Sequence, residues 1–238
     1  MEKSKASRRV LIMASAMALW GCGGGGGGGS STPAPANLSS APGESAVNAY
    51  MQSQVSISLS TTANGNSYTI AGTDVPNAGT TLFDGQNALS MTRTVTLSQN
   101  GSVVATSTST NYFLSNPYDP LGSTDISGIP FEVQSSFTAL PATFTVGQSG
   151  TAAIFTLYHD LTMAVADATE TDTWTASTYS PSAIQICQIA VVSNVTAQGT
   201  SDGVVASTES DCYTETAAGA LTLLSITITE NGTTLTFK

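Results

Sequence analysis

Short runs of alternating apolar and polar residues limit what this chain can fold into. They fill the sequence from about residue 44 onward, are rich in Thr, Ser and Val, and are separated by Gly, Asn and Pro. A period of two with β-branched residues predicts strands with one face in water, and only Glu44 to Met51 suggests a turn or two of helix. The sequence therefore predicts an all-β fold for residues 44–238: an antiparallel β-sandwich or a partly closed half-barrel built from hairpins. The Pro- and Gly-rich stretch 115–130 is either a division into two β-domains or a long loop between sheets.

Two Asn-Gly pairs predict hairpins, because Asn-Gly is the strongest short-range signal for a two-residue hairpin turn. The turn at Asn231-Gly232 pairs Ile228 with Leu235 and Ile226 with Phe237. The turn at Asn100-Gly101 predicts one face formed by Leu89, Met91, Arg93, Val95 and Leu97 opposite Tyr112, Thr110, Thr108, Thr106 and Val104.

Arg93 is the one basic residue inside the predicted domain, since Lys238 ends the chain. The hairpin register places it in the middle of an otherwise apolar face. A guanidinium there could bind a carboxylate or phosphate, so Arg93 is a candidate ligand-binding residue. The alternative, which we favour, is a structural ion pair with an acidic residue such as Glu132, or a side chain that extends to the sheet edge.

No combination of residues predicts catalysis. His159, the single histidine, lies beside Asp160 and could act as a base, but a nucleophile on a recognisable turn is also needed. The segment from Gly147 to Gly150 resembles a nucleophile turn but has Thr151 where the second glycine is required. We therefore expect no enzyme activity, no catalytic residues and no cofactor.

Acidic residues are concentrated in the second half of the chain. Their spacing does not match that of a calcium-binding loop, so we expect no metal site and interpret them as solvated surface carboxylates. We expect Trp174 to lie in the core or on a sheet face. The acidic residues in question are Asp160, Asp167, Glu170, Asp172, Asp202, Glu209 and Asp211.

The charge balance limits the possible partners. Charged residues make up 9% of the chain, against about 25% in an average soluble domain. Beyond residue 21, two basic residues, Arg93 and Lys238, stand against 15 Asp and Glu. Such a surface repels phosphate backbones, so we expect no nucleic-acid partner.

The N-terminus has the features of an export signal. Four basic residues among the first nine precede an uncharged stretch at residues 10–20. This stretch suits a signal peptide and is shorter than the roughly 20 residues of a membrane span. Residues 1–21 are therefore predicted to be a signal peptide. The pair Arg8-Arg9 is also found in twin-arginine signals, but the aromatic residue and Lys of that pattern are missing, which favours general secretion.

The segment Leu19-Trp20-Gly21-Cys22 resembles the lipobox of bacterial outer-membrane lipoproteins. Leu19, Gly21 and Cys22 match the pattern, and Trp20 stands where a small residue is usual. The resemblance implies that the Cys22 thiol is diacylated and that Cys22 becomes the new N-terminus. Because Gly23 rather than Asp follows, it also implies transfer to the outer membrane.

The residues after Cys22 predict a flexible tether. Seven glycines at 23–29 are followed by a Ser-, Thr-, Pro- and Ala-rich segment. Such a composition cannot bury apolar surface. We therefore assign residues 22–43 to an acylated cysteine and tether that hold the β-domain away from the membrane.

Cys187 and Cys212 are expected to form a disulfide. With Cys22 acylated, they are the remaining thiols of a protein exported to an oxidising compartment. If they face each other across an antiparallel pair, the connecting turn centres between Gly199 and Thr200, in a turn-rich segment.

These features predict a lipid-anchored protein of the cell envelope with a non-catalytic structural or binding role. Its domain faces either the periplasm or the cell surface. The expected partners are the membrane, through the anchor, and an envelope glycan, lipid or protein. The alternative function is a surface-exposed adhesin or host-contact domain; an envelope hydrolase is less favoured.

Overall fold

The computed structural model describes residues 37–125, 130–160 and 162–238. Most of these residues lie in β-strands, and the helices among them are short. The all-β prediction is therefore confirmed. The predicted signal peptide at 1–21 and the predicted lipidation site at Cys22 lie outside the described residues.

The secondary-structure elements are numbered here in chain order. The helices of the described residues are α1 (Glu44–Met51) and α2 (Ala197–Asp202). The strands are β1 (Ser40–Pro42), β2 (Val55–Ala63), β3 (Asn66–Pro76), β4 (Thr81–Phe83), β5 (Gln86–Gln99), β6 (Ser102–Ser115), β7 (Tyr118–Asp125), β8 (Pro130–Phe137), β9 (Thr143–Thr145), β10 (Ser149–Leu157), β11 (Ala168–Ser180), β12 (Ala183–Ser193), β13 (Ser207–Thr216), β14 (Leu221–Glu230) and β15 (Thr233–Phe237).

A 13-stranded antiparallel sheet forms a nearly closed barrel. From β2 to β15 each strand pairs with the next one along the chain, except that β4 pairs only with β5 and β9 lies outside this sheet. The two ends of the sheet meet at Ser60 and Lys238, whose backbone N–H groups each donate to the other's carbonyl oxygen at 3.0 Å. This exchange is that of an antiparallel hydrogen-bonded pair. Of the two predicted architectures, the barrel-like one is observed.

The strand β1 lies within the last residues of the predicted tether at 22–43. It pairs with β9 in a separate two-stranded sheet. The stretch 115–130 contains β7, which pairs with β6 on one side and β8 on the other. The described part of the stretch that was considered as a domain division therefore contributes a strand to the large sheet.

The helix α1 packs against the large sheet, where it contacts β7 and β14. Its buried face is formed by Ala46, Val47, Tyr50 and Met51. These side chains belong to a core that includes Val55 of β2 and Ile226 of β14, near opposite ends of the sheet. The predicted helix at Glu44–Met51 is therefore confirmed. No helix in the described ranges is long and apolar enough to cross a membrane.

The β5–β6 hairpin follows the predicted register only near its turn. Beyond Leu97 a β-bulge shifts the pairing by one residue, so Leu89 lies opposite Phe113 rather than Tyr112. A bulge inserts an extra residue into one strand and reverses the faces of all later residues on it. The partners of Leu89, Met91, Arg93, Val95 and Leu97 are accordingly Phe113, Asn111, Ser109, Ser107 and Ala105, and the predicted partners Tyr112, Thr110, Thr108, Thr106 and Val104 were wrong.

The other two predicted registers are confirmed. In the β14–β15 hairpin, Ile228 pairs with Leu235 and Ile226 pairs with Phe237. Cys187 of β12 lies directly opposite Cys212 of β13, and the two are joined by a disulfide. The connection between these strands contains α2 rather than a tight turn.

Candidate functional site

A partly open cavity is lined by residues of α1, of strands between β6 and β14, and of the connection between β8 and β9. The volume of the cavity is about 80 Å³. This space is large enough for water or a small organic group. Most of its wall is apolar and aromatic. The rings in the wall belong to Tyr112, Phe113, Tyr118, Phe137, Phe144, Phe155, Trp174 and Tyr213.

Three carboxyl groups, those of Glu132, Glu170 and Asp172, complete the wall of this cavity, which we call the acidic cavity. Each of the three residues is at most 8% exposed. On β11, alternate side chains point inward, so Glu170 and Asp172 share the buried face with Ala168 while the threonines between them face outward. Glu132 is brought close from the first residues of β8.

Cross-strand pairing continues this acidic surface around the barrel. Asp172 of β11 pairs with Ala190 of β12, and Ala190 in turn pairs with Glu209 of β13. Asp211, two residues after Glu209 on the same face, pairs with Gln188. The amide Nε2 of Gln188 donates to Asp172 Oδ2 at 2.9 Å.

Arg93 lies on β5 and is 3% exposed. Its Nε is 3.2 Å from Oδ1 of Asp74, its cross-strand partner on β3, and Asp74 is fully buried. Glu209 and Asp211 also interact with the guanidinium electrostatically. We call these four residues the Arg93 cluster. The expected ion pair of Arg93 therefore forms with Asp74 rather than with Glu132.

Several buried polar atoms have no hydrogen-bond partner among the described residues. They include one carboxyl oxygen of each of five residues and the terminal nitrogens of Arg93. Buried polar atoms are normally hydrogen-bonded, so such a group is typical of a site that takes up protons, water or a ligand. The oxygens are Glu132 Oε1, Glu170 Oε2, Asp172 Oδ1, Glu209 Oε1 and Asp211 Oδ1.

Burial makes the carboxyl groups of the acidic cavity hold protons more tightly. It raises the pKa of Glu132 to about 8, and the charge of Asp172 adds to this rise. Burial also raises the pKa of Asp172 to about 6, although contacts with Glu170 and Gln188 oppose the rise. For Glu170, burial and the charges of Glu132 and Asp172 raise the pKa well above its ordinary value.

In the Arg93 cluster, burial raises the pKa of Asp74 to about 6 while the guanidinium lowers it. Burial raises the pKa of Asp211 to about 6, and Arg93 again opposes the rise. For Arg93 itself, burial lowers the pKa, but the nearby acidic residues raise it more. The single guanidinium thus compensates only part of the negative charge that full ionisation would place inside the barrel.

The interpretation of the acidic residues as solvated was wrong for Asp167, Glu170, Asp172, Glu209 and Asp211, all of which are buried. Alternation shows which side chains share a face but does not show whether that face is enclosed. A signal was nevertheless present. Glu170 and Asp172 alternate with Trp174, and Glu209 and Asp211 alternate with Tyr213, so acidic and aromatic side chains share one face of each strand.

Trp174 packs against the core and lines the acidic cavity. Its ring centroid lies 4.8 Å from that of Phe144. The expectation that it lies in the core or on a sheet face is therefore met.

His159 lies outside the acidic cavity, in the connection between β10 and β11. Its Nδ1 is 3.0 Å from Asp202 Oδ2 on α2 and 3.4 Å from Asp167 Oδ1, and its Nε2 is 3.6 Å from Asp160 Oδ2. His159, Asp167 and Asp202 could together act as ligands of a metal ion. The sequence did not predict this grouping, because it depends on how α2 packs against the connection.

Comparison of the chain with protein-family models, curated proteins and solved structures gave no significant match.

Proposed function

We propose that this chain is a lipid-anchored protein of the bacterial cell envelope whose barrel binds a small molecule without chemical change. The lipobox at Leu19 to Cys22 and the glycine tether support export and anchoring at the outer membrane. The acidic cavity supports a binding role.

The observation that carries the proposal is an internal cavity that combines aromatic walls with buried carboxyl groups. Binding sites for small molecules are typically concave and apolar, with a few polar groups that orient the ligand. An unpartnered buried oxygen costs about 1–3 kcal/mol. Buried carboxyl groups in the wall of a cavity cost a purely structural domain stability, whereas they give a binding domain specificity.

The binding role can be tested with three one-ring probes that differ in charge: benzylammonium, benzyl alcohol and benzoate. The full-length protein is extracted from membranes in mild detergent, and its thermal unfolding is followed with each probe. We expect at least one probe to raise the melting temperature in a saturable way, because binding to the folded state alone stabilises it.

Two tryptophan substitutions locate the binding. Leu140→Trp adds a ring at the wall of the acidic cavity, from a partly buried loop position, and should abolish the stabilisation by the probe. Leu82→Trp adds the same ring at a side chain that is 70% exposed and serves as the matched control. If no probe binds, or if both variants bind equally well, the proposed binding role is wrong.

The anchor is tested separately. Cys22→Ser should move the protein from the membrane fraction to the soluble fraction, because two acyl chains are needed for stable attachment. Intact mass should show a diacyl addition in the parent protein that is missing in the variant. An unmodified mass for the membrane-extracted parent protein would refute lipidation.

A further inference from the structure

We propose that the ligand of the acidic cavity is a small organic cation: an amine whose charged group contacts Glu132, Glu170 and Asp172 and whose apolar body lies against the aromatic wall. This inference rests on the proposed binding function and specifies its ligand class.

The charge of the wall selects against an anion. Among the described residues that line the acidic cavity there is no Lys, Arg or His, while three carry carboxyl groups. The nearest cation, Arg93, is held by Asp74 at 3.2 Å and is surrounded by further carboxylates. Each of these carboxyl groups that is ionised would therefore repel an anion and attract a cation in a poorly screened interior.

The carboxyl groups in the wall can supply acceptors to a cation once they are ionised. Glu132 Oε1, Glu170 Oε2 and Asp172 Oδ1 each belong to a side chain that is more than nine-tenths buried. The three residues come from different positions on β8 and β11 but line the same space. A primary ammonium group has three N–H donors, one for each of the three carboxyl groups in the wall.

The remaining wall favours an organic cation over a metal ion. A hard cation such as Ca²⁺ prefers six to eight oxygen ligands around it. Here the carboxyl groups occupy one part of the wall, and rings such as Phe144, Trp174 and Tyr118 occupy much of the rest. Aromatic faces attract cations and also cover an apolar body, so they suit an amine that carries a hydrocarbon group.

Ionisation couples to this binding. Asp172 lies near Glu132, Glu170, Glu209 and Tyr118, and burial is the main cause of the raised pKa of Asp172 and of its acidic neighbours. A bound ammonium group would favour the ionised carboxylates and displace protons. Affinity for the cation should therefore rise from pH 5 to pH 8, while affinity for a neutral probe should not.

The test compares two probes of nearly identical shape, benzylammonium and benzyl alcohol, on the full-length protein by isothermal titration calorimetry. At pH 8 we expect benzylammonium to bind at least tenfold more tightly. Asp172→Asn should remove most of that preference while changing the affinity for benzyl alcohol less than twofold. Glu132→Gln, a second conservative variant, should act in the same direction if Asp172→Asn folds poorly.

Asp84→Asn is the matched control, since it makes the same charge change at an exposed turn residue whose positive φ of 44° asparagine also tolerates. It should leave the preference intact. Titration with CaCl₂ distinguishes a site for a metal ion from a site for an organic cation. Binding of Ca²⁺ together with no binding of benzylammonium would overturn the proposal.

The outcomes separate this inference from the proposed function. Equal affinity for both probes, or tighter binding of benzoate, would leave the cavity as a binding site but refute the cation class. Failure of every probe would refute both. An unchanged preference in Asp172→Asn and in Glu132→Gln would show that the cavity carboxylates do not recognise the charge.

Discussion

Glu215 provides a direct measure of what a buried carboxyl group costs this barrel. It follows Tyr213 on the inward face of β13 and is fully buried. Neither of its carboxyl oxygens has a hydrogen-bond partner among the described residues. Burial alone raises its pKa to about 8 from an ordinary value of 4.5. The substitution Glu215→Gln keeps the shape of the side chain and removes its titration.

The sign of the effect follows from proton binding. Above pH 4.5 the unfolded chain loses the Glu215 proton, whereas the folded protein keeps it until about pH 8. The stability that the protonated form contributes is therefore complete at low pH and is lost as the pH rises through this window. At pH 7, about 2.5 pH units above the unfolded value, the full loss would be about 3 kcal/mol. Relaxation of the surroundings and entry of water around the ionised carboxylate reduce the expected loss to about 2 kcal/mol.

Urea unfolding of the parent protein and of Glu215→Gln at pH 4 and pH 7, followed by tryptophan fluorescence, gives the required free energies. We expect the variant to gain about 2 kcal/mol relative to the parent between pH 4 and pH 7. Glu230→Gln is the control, because it makes the same substitution at a partly exposed residue at a hairpin end. The reasoning fails if Glu215→Gln changes stability by the same amount at both pH values.

Two further variants test which interactions stabilise the fold against the cost of its buried carboxyl groups. Arg93→Ala leaves Asp74 without its ion-pair partner and should cost about 3–5 kcal/mol at pH 7 by urea unfolding; a loss below about 1 kcal/mol would contradict a structural role for the guanidinium. The Cys187→Ser, Cys212→Ser double variant removes a crosslink between residues 25 apart in sequence and should cost about 3.5 kcal/mol in the chain-entropy model. Its thermal unfolding should match that of the reduced parent protein, and a difference would point to an effect of the serines themselves.

Some features of the fold are determined by short stretches of sequence, and these features could be predicted. The Asn-Gly turn at residues 231–232 fixes its own hairpin, so the pairing of Ile226 with Phe237 follows from counting outward. The disulfide pair fixes the register of β12 with β13 in the same way. The helix at Glu44–Met51 interrupts the alternation and is visible for that reason.

Features that depend on a local irregularity were harder to predict. The bulge beyond Leu97 leaves the Asn-Gly turn unchanged but reverses the faces of β6. Its outer face now carries Thr106 and Thr108, whose hydroxyls lie 3.2 Å from those of Thr96 and Thr94. The helix α2 has an N-cap at Thr196 and a left-handed residue at Gly203, but its six residues are too few to show an apolar period.

The candidate site was only partly predictable. Arg93 could be singled out, because a lone basic residue on an apolar face is conspicuous in the sequence. Its partner Asp74 could not, because β3 and β5 are separated by β4 and its turns, and no sequence signal fixes their register. Glu132, Glu170 and Asp172 were interpreted by their charge as surface residues, although the cavity encloses them.

Closure of the sheet explains why charge was a poor guide to burial. In a single open sheet, the face that carries the carboxylates of β11 and β13 could remain in contact with water. Here the backbone hydrogen bonds between Ser60 and Lys238 join the two ends of the sheet and bring it close to a closed barrel. These two residues are far apart in the sequence, so no local sequence pattern predicts their contact. The barrel therefore keeps carboxyl groups inside at a cost in stability, which is typical of functional sites rather than of structural cores. A cation that enters the acidic cavity would reverse this cost, since it stabilises the ionised state that burial disfavours.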